Sequence, residues 1–155
     1  MGVSIQQVPF SSESTISKMR ASNLSIGAVV TFTGFVRDLY DNNDLKKLEQ
    51  LELEHYAGMT EKMLSLIESE ANKRWPLEAI EIVHRVGILM PGEPIVLVAV
   101  ASKHRHDAFE ACQFIIDYLK VEAPFWKKEK TNEGGYWVNE LEEDREKKYL
   151  WDSLK

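Results

Sequence analysis

The sequence predicts an α+β fold with mixed or antiparallel strands and two main amphipathic helices, in a single domain over residues 1–155. Strand-like and helix-like segments do not alternate regularly along the chain, as they would in a βαβ protein. No glycine-rich loop follows a strand, which argues against a doubly wound nucleotide-binding fold. A chain of 155 residues with 44% hydrophobic residues is long enough to bury one continuous core.

The first half of the chain is predicted to contain three strands and two helices. Ser11 or Ser12 can cap the first helix, because a serine hydroxyl accepts a hydrogen bond from a helix N–H. β-Branched and aromatic residues in one segment, and alternating leucines in the next, indicate strands. Apolar residues at helical spacing indicate a second helix, which Pro76 ends. In order, these are a strand over 3–8, a helix over 12–21, a buried strand over 27–36, a mobile polar loop over 38–47, a strand over 47–55 and a helix over 59–75.

The second half is predicted to contain two further strands, a long helix and a helical tail. Ile80, Ile82 and His84 alternate along one face, as a strand requires, and an almost wholly apolar run indicates a central strand. Apolar residues at helical spacing indicate the long helix. In order, these are a strand over 78–86, a turn over 90–94, a strand over 95–101, a helix over 106–119, an extended segment over 124–131, a hairpin-like turn at Gly134-Gly135 and a helical tail from about Leu141.

Composition restricts the class of protein. A single cysteine, Cys112, excludes a disulfide framework and fits a reducing compartment. No apolar run approaches the roughly 20 residues of a membrane span, and the first residues lack the features of a secretory signal. A net charge of −6 argues against general nucleic-acid binding, because affinity for phosphate backbones comes from excess Lys and Arg. We therefore expect a soluble, cytoplasmic protein that binds neither nucleic acid nor membrane.

The charges are distributed unevenly along the chain. Residues 103–130 hold six cations and five anions, whereas the rest of the chain has a net charge of −7. A locally basic stretch in an acidic protein suggests a small anionic ligand. Ordinary scatter of charged residues explains the same counts equally well.

Three groups of cations could bind such an anion. His104 and Arg105 lie where an apolar strand ends and a helix begins, and a helix N-terminus favours anions. The alternative is that the two residues form a solvated strand-to-helix corner that binds no ligand. If Lys120 and Lys127 converge on one pocket, each lowers the proton affinity of the other. The alternative is that Lys120 is present because it suits the helix dipole and Lys127 because an exposed lysine pair aids solubility. Arg37, at a strand exit, can clamp a phosphate or pair with the neighbouring aspartate.

Other kinds of site receive less support from the residues. His104 and His106 could share one face of a strand end, but no further ligand at zinc-like spacing is evident, so no metal site is predicted. His84 is interpreted as a hydrogen-bonded core histidine. Cys112 lies on the apolar stripe of its helix and is interpreted as a small hydrophobe. The residues alone therefore indicate an anion-binding α+β domain of undefined chemistry.

An ordered set of sequence blocks resembles the large, catalytic subunit of molybdopterin synthase. The blocks follow the family's order and span about residues 27–138, and the ordered set is far more specific than any one block. They are Gly27-Ala-Val-Val-Thr-Phe-Thr-Gly34 with Val36-Arg37, Leu53-Glu-His-Tyr56 with Gly58-Met-Thr-Glu-Lys62, Asn72-Lys-Arg-Trp-Pro-Leu77, His84-Arg-Val-Gly87, Pro91-Gly92, His104-Arg105, Ala108-Phe-Glu110, Asp117-Tyr-Leu-Lys120 and Ala123-Pro-Phe-Trp-Lys127.

The resemblance implies a sulfurtransferase of molybdenum-cofactor synthesis with an α/β-hammerhead-like core. It would convert cyclic pyranopterin monophosphate into molybdopterin by installing two sulfurs as a dithiolene. The sulfur would arrive as a thiocarboxylate on the C-terminal Gly-Gly of a small ubiquitin-like partner. The large subunits would form a homodimer within a heterotetramer, and no resident cofactor is expected. The alternative is a non-catalytic module that binds a small anion or a ubiquitin-like tail.

The resemblance also implies roles for individual residues. Lys120 matches the lysine closest to the inserted thiocarboxylate, and would transfer a proton or stabilise the tetrahedral adduct. Lys127 matches the second active-site lysine, which would orient substrate or stabilise the oxyanion. The sequence departs from the family pattern near Arg37, where the 38–47 loop is longer than is common and a Phe stands where a Lys can occur. The substrate contacts that match are Phe35, Val36, Arg37, His104, Arg105, Lys120, Lys127, Lys128 and Glu129.

Overall fold

The computed structural model describes residues 2–38, 47–132, 134–138 and 142–154. These ranges contain β1 (Val3–Gln6), α1 (Ser12–Ser22), β2 (Ala28–Phe35), β3 (Leu48–His55), α2 (Met59–Arg74), β4 (Leu77–Arg85), β5 (Gly87–Leu89), β6 (Pro94–Ser102), α3 (Arg105–Glu122), β7 (Phe125–Thr131), β8 (Gly134–Val138) and α4 (Glu142–Asp152). The predicted α+β class is confirmed. The predicted mobile loop over 38–47 lies, apart from its two end residues, outside the described residues.

Two details differ from the sequence-based expectations. β5 was not predicted, because three residues are too short to show a periodic pattern. The prediction of a hairpin-like turn at Gly134-Gly135 was wrong, because both glycines lie in β8 and pair with Thr131 and Lys130 of β7. The expected cap of α1 is confirmed, since the Ser11 hydroxyl accepts the Ser14 N–H at 3.1 Å.

The first sheet has the strand order β1-β4-β6-β2, with β1 parallel to β4 and the other pairs antiparallel. Its central strand, β6, is buried on both faces, which explains its almost continuous apolar sequence. On one face Val96, Val98 and Val100 pack with α2 and α3. On the other face Ala99 and Ala101 pack against Met19 of α1. Three of the helices therefore cover the two faces of this sheet.

The second sheet has the order β5-β3-β7-β8, and all its pairs are antiparallel. It buries a smaller apolar cluster, which includes Leu51 and Leu53 of β3. Ile5, Ile95 and Phe125 pack against both this cluster and the larger one, so the two apolar regions are continuous. No helix in the described part of the chain has the length and apolar character needed to cross a bilayer.

Candidate functional site

The two predicted catalytic lysines lie on either side of the connection between α3 and β7. Lys120 is in the last turn of α3 and its side chain is exposed. Lys127 is half-buried in β7 and pairs with Leu53 of β3. Since directly opposed residues of an antiparallel pair point to the same face, Lys127 lies on the core-facing side of the second sheet. Within the described residues, Lys120 has no hydrogen-bond or ion-pair partner.

Both lysines act electrostatically on His84, a buried residue near the end of β4. The imidazole is only 5% exposed, its Nδ1 lies 2.8 Å from the Arg85 carbonyl oxygen, and its ring stacks on Phe125 with centroids 3.9 Å apart. A carbonyl oxygen can only accept, so Nδ1 carries the proton. Burial is the main cause that lowers the pKa of His84 to about 3, and the charges of Lys127 and Lys120 lower it further. His84 is therefore neutral, and the expected hydrogen-bonded core histidine is confirmed.

Strand alternation separates the remaining predicted residues of β7. Glu129 is 6% exposed and shares the core-facing side with Lys127, since it pairs with Leu51. Lys128 is exposed and lies on the opposite face. The segment 127–129 therefore does not present its three side chains to one pocket.

The predicted residues at the exit of β2 also differ in exposure. The Phe35 side chain is 59% exposed, and Arg37 is exposed. Val36 is 4% exposed and belongs to the same apolar cluster as Leu53, the register partner of Lys127. Both backbone groups of Val36 are bonded to the turn that precedes β6, through the Glu93 carbonyl and the Gly92 N–H. Arg37 thus lies toward the end of the fold that carries the lysines.

His104 and Arg105 lie at the opposite end, where β6 leads into α3. His104 is the N-cap residue of α3 and Arg105 the first helical residue, and both are exposed. They line an open cleft of about 730 Å³, together with Phe109 and Lys103. The cleft combines a helix N-terminus with cationic side chains, which is an arrangement that suits an anion.

Sequence reasoning missed the role of Gly27 in shaping this corner. A Cβ at position 27 would lie 2.2 Å from the Lys103 carbonyl oxygen, so only glycine allows β2 to begin this close to the corner. The Gly27 N–H also donates to the Ser102 carbonyl at 3.0 Å. A glycine at the start of a segment rich in β-branched residues was the available signal, because glycine at a strand often marks a close backbone approach.

The structure therefore divides the predicted residues into two groups. Arg37, Lys120 and Lys127 lie toward one end of the first sheet, and His104 and Arg105 lie toward the other. Arg105 and Lys120 are at opposite ends of α3, which at 1.5 Å per residue separates their backbones by about 22 Å.

The described residues show no competing metal or thiol site. Among them, no group of three or more His, Cys, Asp or Glu side chains is arranged to hold a metal ion. Cys112 is buried, with its Sγ 3.9 Å from the Val98 carbonyl oxygen, and burial raises its pKa to about 11. A thiol with so little thiolate is not a nucleophile at neutral pH, so its interpretation as a small buried residue is confirmed.

Comparisons with known proteins agree with this fold and sequence. The family model described as MoaE protein matches residues 5–122. The molybdopterin synthase catalytic subunit of Pseudomonas aeruginosa is 49% identical over 152 residues, which cover 98% of this chain and 99% of that protein. The solved structure of a molybdopterin biosynthesis MoaE protein from Burkholderia ambifaria has a TM-score of 0.83 and 46% identity, with 97% of each chain covered. The crystal structure of molybdopterin synthase from Staphylococcus aureus has a TM-score of 0.77 and 39% identity, and covers 87% of this chain and 95% of that one. This chain therefore belongs to the MoaE family.

Proposed function

We propose that the chain is the catalytic subunit of a molybdopterin synthase. It takes sulfur from the C-terminal Gly-Gly thiocarboxylate of a small ubiquitin-like partner and transfers it to cyclic pyranopterin monophosphate, forming the dithiolene of molybdopterin. Relatives with this name cover nearly the whole chain. The structural observation that carries the assignment is that Lys120 and Lys127 flank the connection from α3 to β7, where the Phe125 ring stacks on the buried His84. We place the reaction in the cytoplasm, where the free Cys112 stays reduced.

Charge explains why such a site suits these reactants. A thiocarboxylate and a cyclic phosphate are both anionic, and the chain as a whole carries a net charge of −6. Lys120 has no acidic partner within the described residues, and the neutral His84 adds no competing charge beside it. Lys120 is assigned proton transfer or stabilisation of the tetrahedral adduct, because a fixed ammonium stabilises charge that develops in the transition state. Lys127 is assigned orientation of substrate or stabilisation of the oxyanion.

The other substrate contacts are assigned according to exposure. Phe35 and Arg37 offer accessible side chains toward the end of the fold that carries the lysines, whereas Val36 positions them through its buried side chain and bonded backbone. Glu129 lies on the same sheet face as Lys127 and supports it from within the core. Lys128 faces the other side of β7, and its backbone lies in the sheet between β3 and β8, so we assign its substrate contact to the site of a neighbouring subunit.

A complete substrate site requires two copies of the chain. Arg105 is about 22 Å from Lys120 along α3, too far for both to contact one small pterin within a protomer. In a two-fold symmetric homodimer, His104 and Arg105 of one protomer meet the lysines of the other, and the same contact occurs twice. Each such site then receives the tail of one small partner, which gives a heterotetramer.

The first test is formation of dithiolene product by the purified chain, its thiocarboxylated partner and cyclic pyranopterin monophosphate. We expect Lys120→Ala to lower kcat by at least about a hundredfold, because it removes a proton-transfer group. Lys18→Ala is the matched control, since Lys18 is an exposed lysine on α1, which covers the face of the first sheet opposite α3. Normal turnover by Lys120→Ala contradicts the assigned role. A folded wild type that binds its partner but yields no product favours the non-catalytic binding module.

A second test addresses the shared site. A heterodimer with Lys120→Ala in one protomer and Arg105→Ala in the other, purified through two different tags, retains one intact site of two. It should therefore show about half of the wild-type activity at subsaturating substrate, whereas each homodimeric variant is deficient. If all contacts come from one protomer, the heterodimer has a defect in each site and stays as deficient as the homodimers.

A further inference from the structure

Helix α4 docks on the part of α3 that carries Lys120. The indole Nε1 of Trp151 donates to Oδ2 of Asp117 at 2.7 Å, and the Trp151 carbonyl accepts from Arg74 of α2 at 3.3 Å. Lys148 pairs with Glu122 at 2.5 Å. The Tyr118 hydroxyl donates to the Asp152 carboxylate. Burial is the main cause that raises the pKa of Tyr118 to about 12, and the bond to Asp152 raises it further. The Trp151 ring meets Phe114 edge-on, with centroids 5.6 Å apart. α4 is thus held on α3 by polar bonds as well as by aromatic packing.

Asp117 is the acidic residue of α3 best placed to pair with Lys120. Residues three or four positions apart on a helix are neighbours, and Asp117 is the only acid at such a spacing from Lys120. Both of its carboxylate oxygens are already bonded, Oδ1 to Gln113 at 2.9 Å and Oδ2 to Trp151 at 2.7 Å. Asp117 is 8% exposed, so water does not compete strongly for it. The carboxylate is therefore turned toward α4 rather than toward Lys120.

We propose that Trp151 is a positioning residue, which holds the Asp117 carboxylate away from Lys120 and so keeps that ammonium available to the anionic tail and substrate. The assignment rests on the proposed function of Lys120. When the indole N–H is removed, Oδ2 of Asp117 loses its partner, and the cation of α3 at helical spacing from Asp117 is Lys120. An ion pair there competes with the anionic reactants.

The chain contains a matched control for this bond. Trp75 lies in the same aromatic cluster, 5.8 Å from the Trp151 ring, and its indole Nε1 also donates to a carboxylate on α3, at 2.9 Å. That carboxylate belongs to Glu110, in the N-terminal half of α3, far from Lys120. Trp75→Phe and Trp151→Phe therefore lose the same kind of bond from the same cluster, and only one of them releases Asp117.

The decisive experiment measures Lys120 directly, without turnover. Limited acetylation of the protein below pH 9, quantified by peptide mass spectrometry, compares Lys120 with the exposed Lys18 of α1. We expect Trp151→Phe to slow labelling of Lys120 by about twofold, because a surface ion pair stabilises the unreactive ammonium by a small amount. Trp75→Phe should leave this ratio unchanged. Asp117→Asn in the Trp151→Phe background should restore it, since the neutral amide cannot form the ion pair.

Product formation then separates this inference from the proposed function. A deficit in kcat/KM that Asp117→Asn restores is also expected for Trp151→Phe; Trp75→Phe serves as the control for labelling alone, because the Glu110 it releases lines the cleft of His104 and Arg105. Equal labelling of Lys120 in Trp151→Phe and Trp75→Phe overturns the positioning role, and so does a deficit that Asp117→Asn leaves in place. A wild type with the expected labelling pattern but no product overturns the proposed function and leaves the positioning of Asp117 standing.

Discussion

Acidification should destabilise this protein through His84 in particular. The imidazole is 5% exposed and stacked on Phe125, and its pKa is lowered to about 3, mainly by burial. In the unfolded chain the same group has its ordinary pKa of 6.5. Between these two values the unfolded state binds a proton that the folded state does not, so the free energy of unfolding falls as the pH falls.

The size of the effect follows from the two pKa values. Each pH unit below 6.5 costs about 1.4 kcal/mol until the pKa of the folded state is reached. Lowering the pH from 7 to 5 therefore removes about 2 kcal/mol through this one group, a large share of the stability of an ordinary domain. The stabilisation is fully present above pH 6.5 and is lost progressively toward pH 3.

Urea unfolding at pH 7 and pH 5, followed by tryptophan fluorescence, measures the difference. His84→Asn keeps a donor for the Arg85 carbonyl but does not titrate, so its stability should fall by about 2 kcal/mol less than that of the wild type over this range. His106→Gln, which removes an imidazole that is 77% exposed, is the control and should follow the wild type. The reasoning is refuted if His84→Asn loses as much stability as the wild type between the two pH values.

Two further outcomes are expected from the structure. Gly27→Ala should raise KM severalfold with little change in kcat, because its Cβ would lie 2.2 Å from the Lys103 carbonyl oxygen and displace the corner that carries His104 and Arg105. Steady-state kinetics measure both constants, and an unchanged KM in Gly27→Ala would contradict this explanation. The thiol of Cys112 should react with a disulfide reagent at pH 8 about a hundredfold more slowly in the folded protein than in urea. The reason is that burial raises the pKa of the thiol from 9.0 to about 11, so that little thiolate is present. A fast reaction without denaturant would show that the thiol is accessible.

Local periodicity was sufficient to predict most of the secondary structure. The alternation of Ile80, Ile82 and His84 predicted a strand and its buried face correctly, because one face of β4 packs against the helices. Gly134-Gly135 was misassigned because glycine pairs suit both turns and strand ends, and only the register with β7 distinguishes them.

The candidate site was less accessible from sequence, because its parts depend on tertiary contacts. Spacing alone could not show that the charges of Lys120 and Lys127 act on the same imidazole, whereas helix geometry already implied that Arg105 and Lys120 lie far apart. The bond between Trp151 and Asp117 joins residues 34 positions apart, and nothing local in either segment indicates it.

The parallel pairing of β1 with β4 has a consequence for the order of folding. Val3 pairs with Ile82, so β1 cannot complete its pairing until the chain has been synthesised as far as β4. The antiparallel partners β4 and β6 are separated by a much shorter stretch of chain, and closing a shorter loop costs less entropy. The hairpin-like pair β4 and β6 can therefore form early, with the N-terminal strand added at the sheet edge as a late step. Until then the edge of β4 is open to pairing with another chain, and it is during synthesis that the protein is most exposed to misassembly.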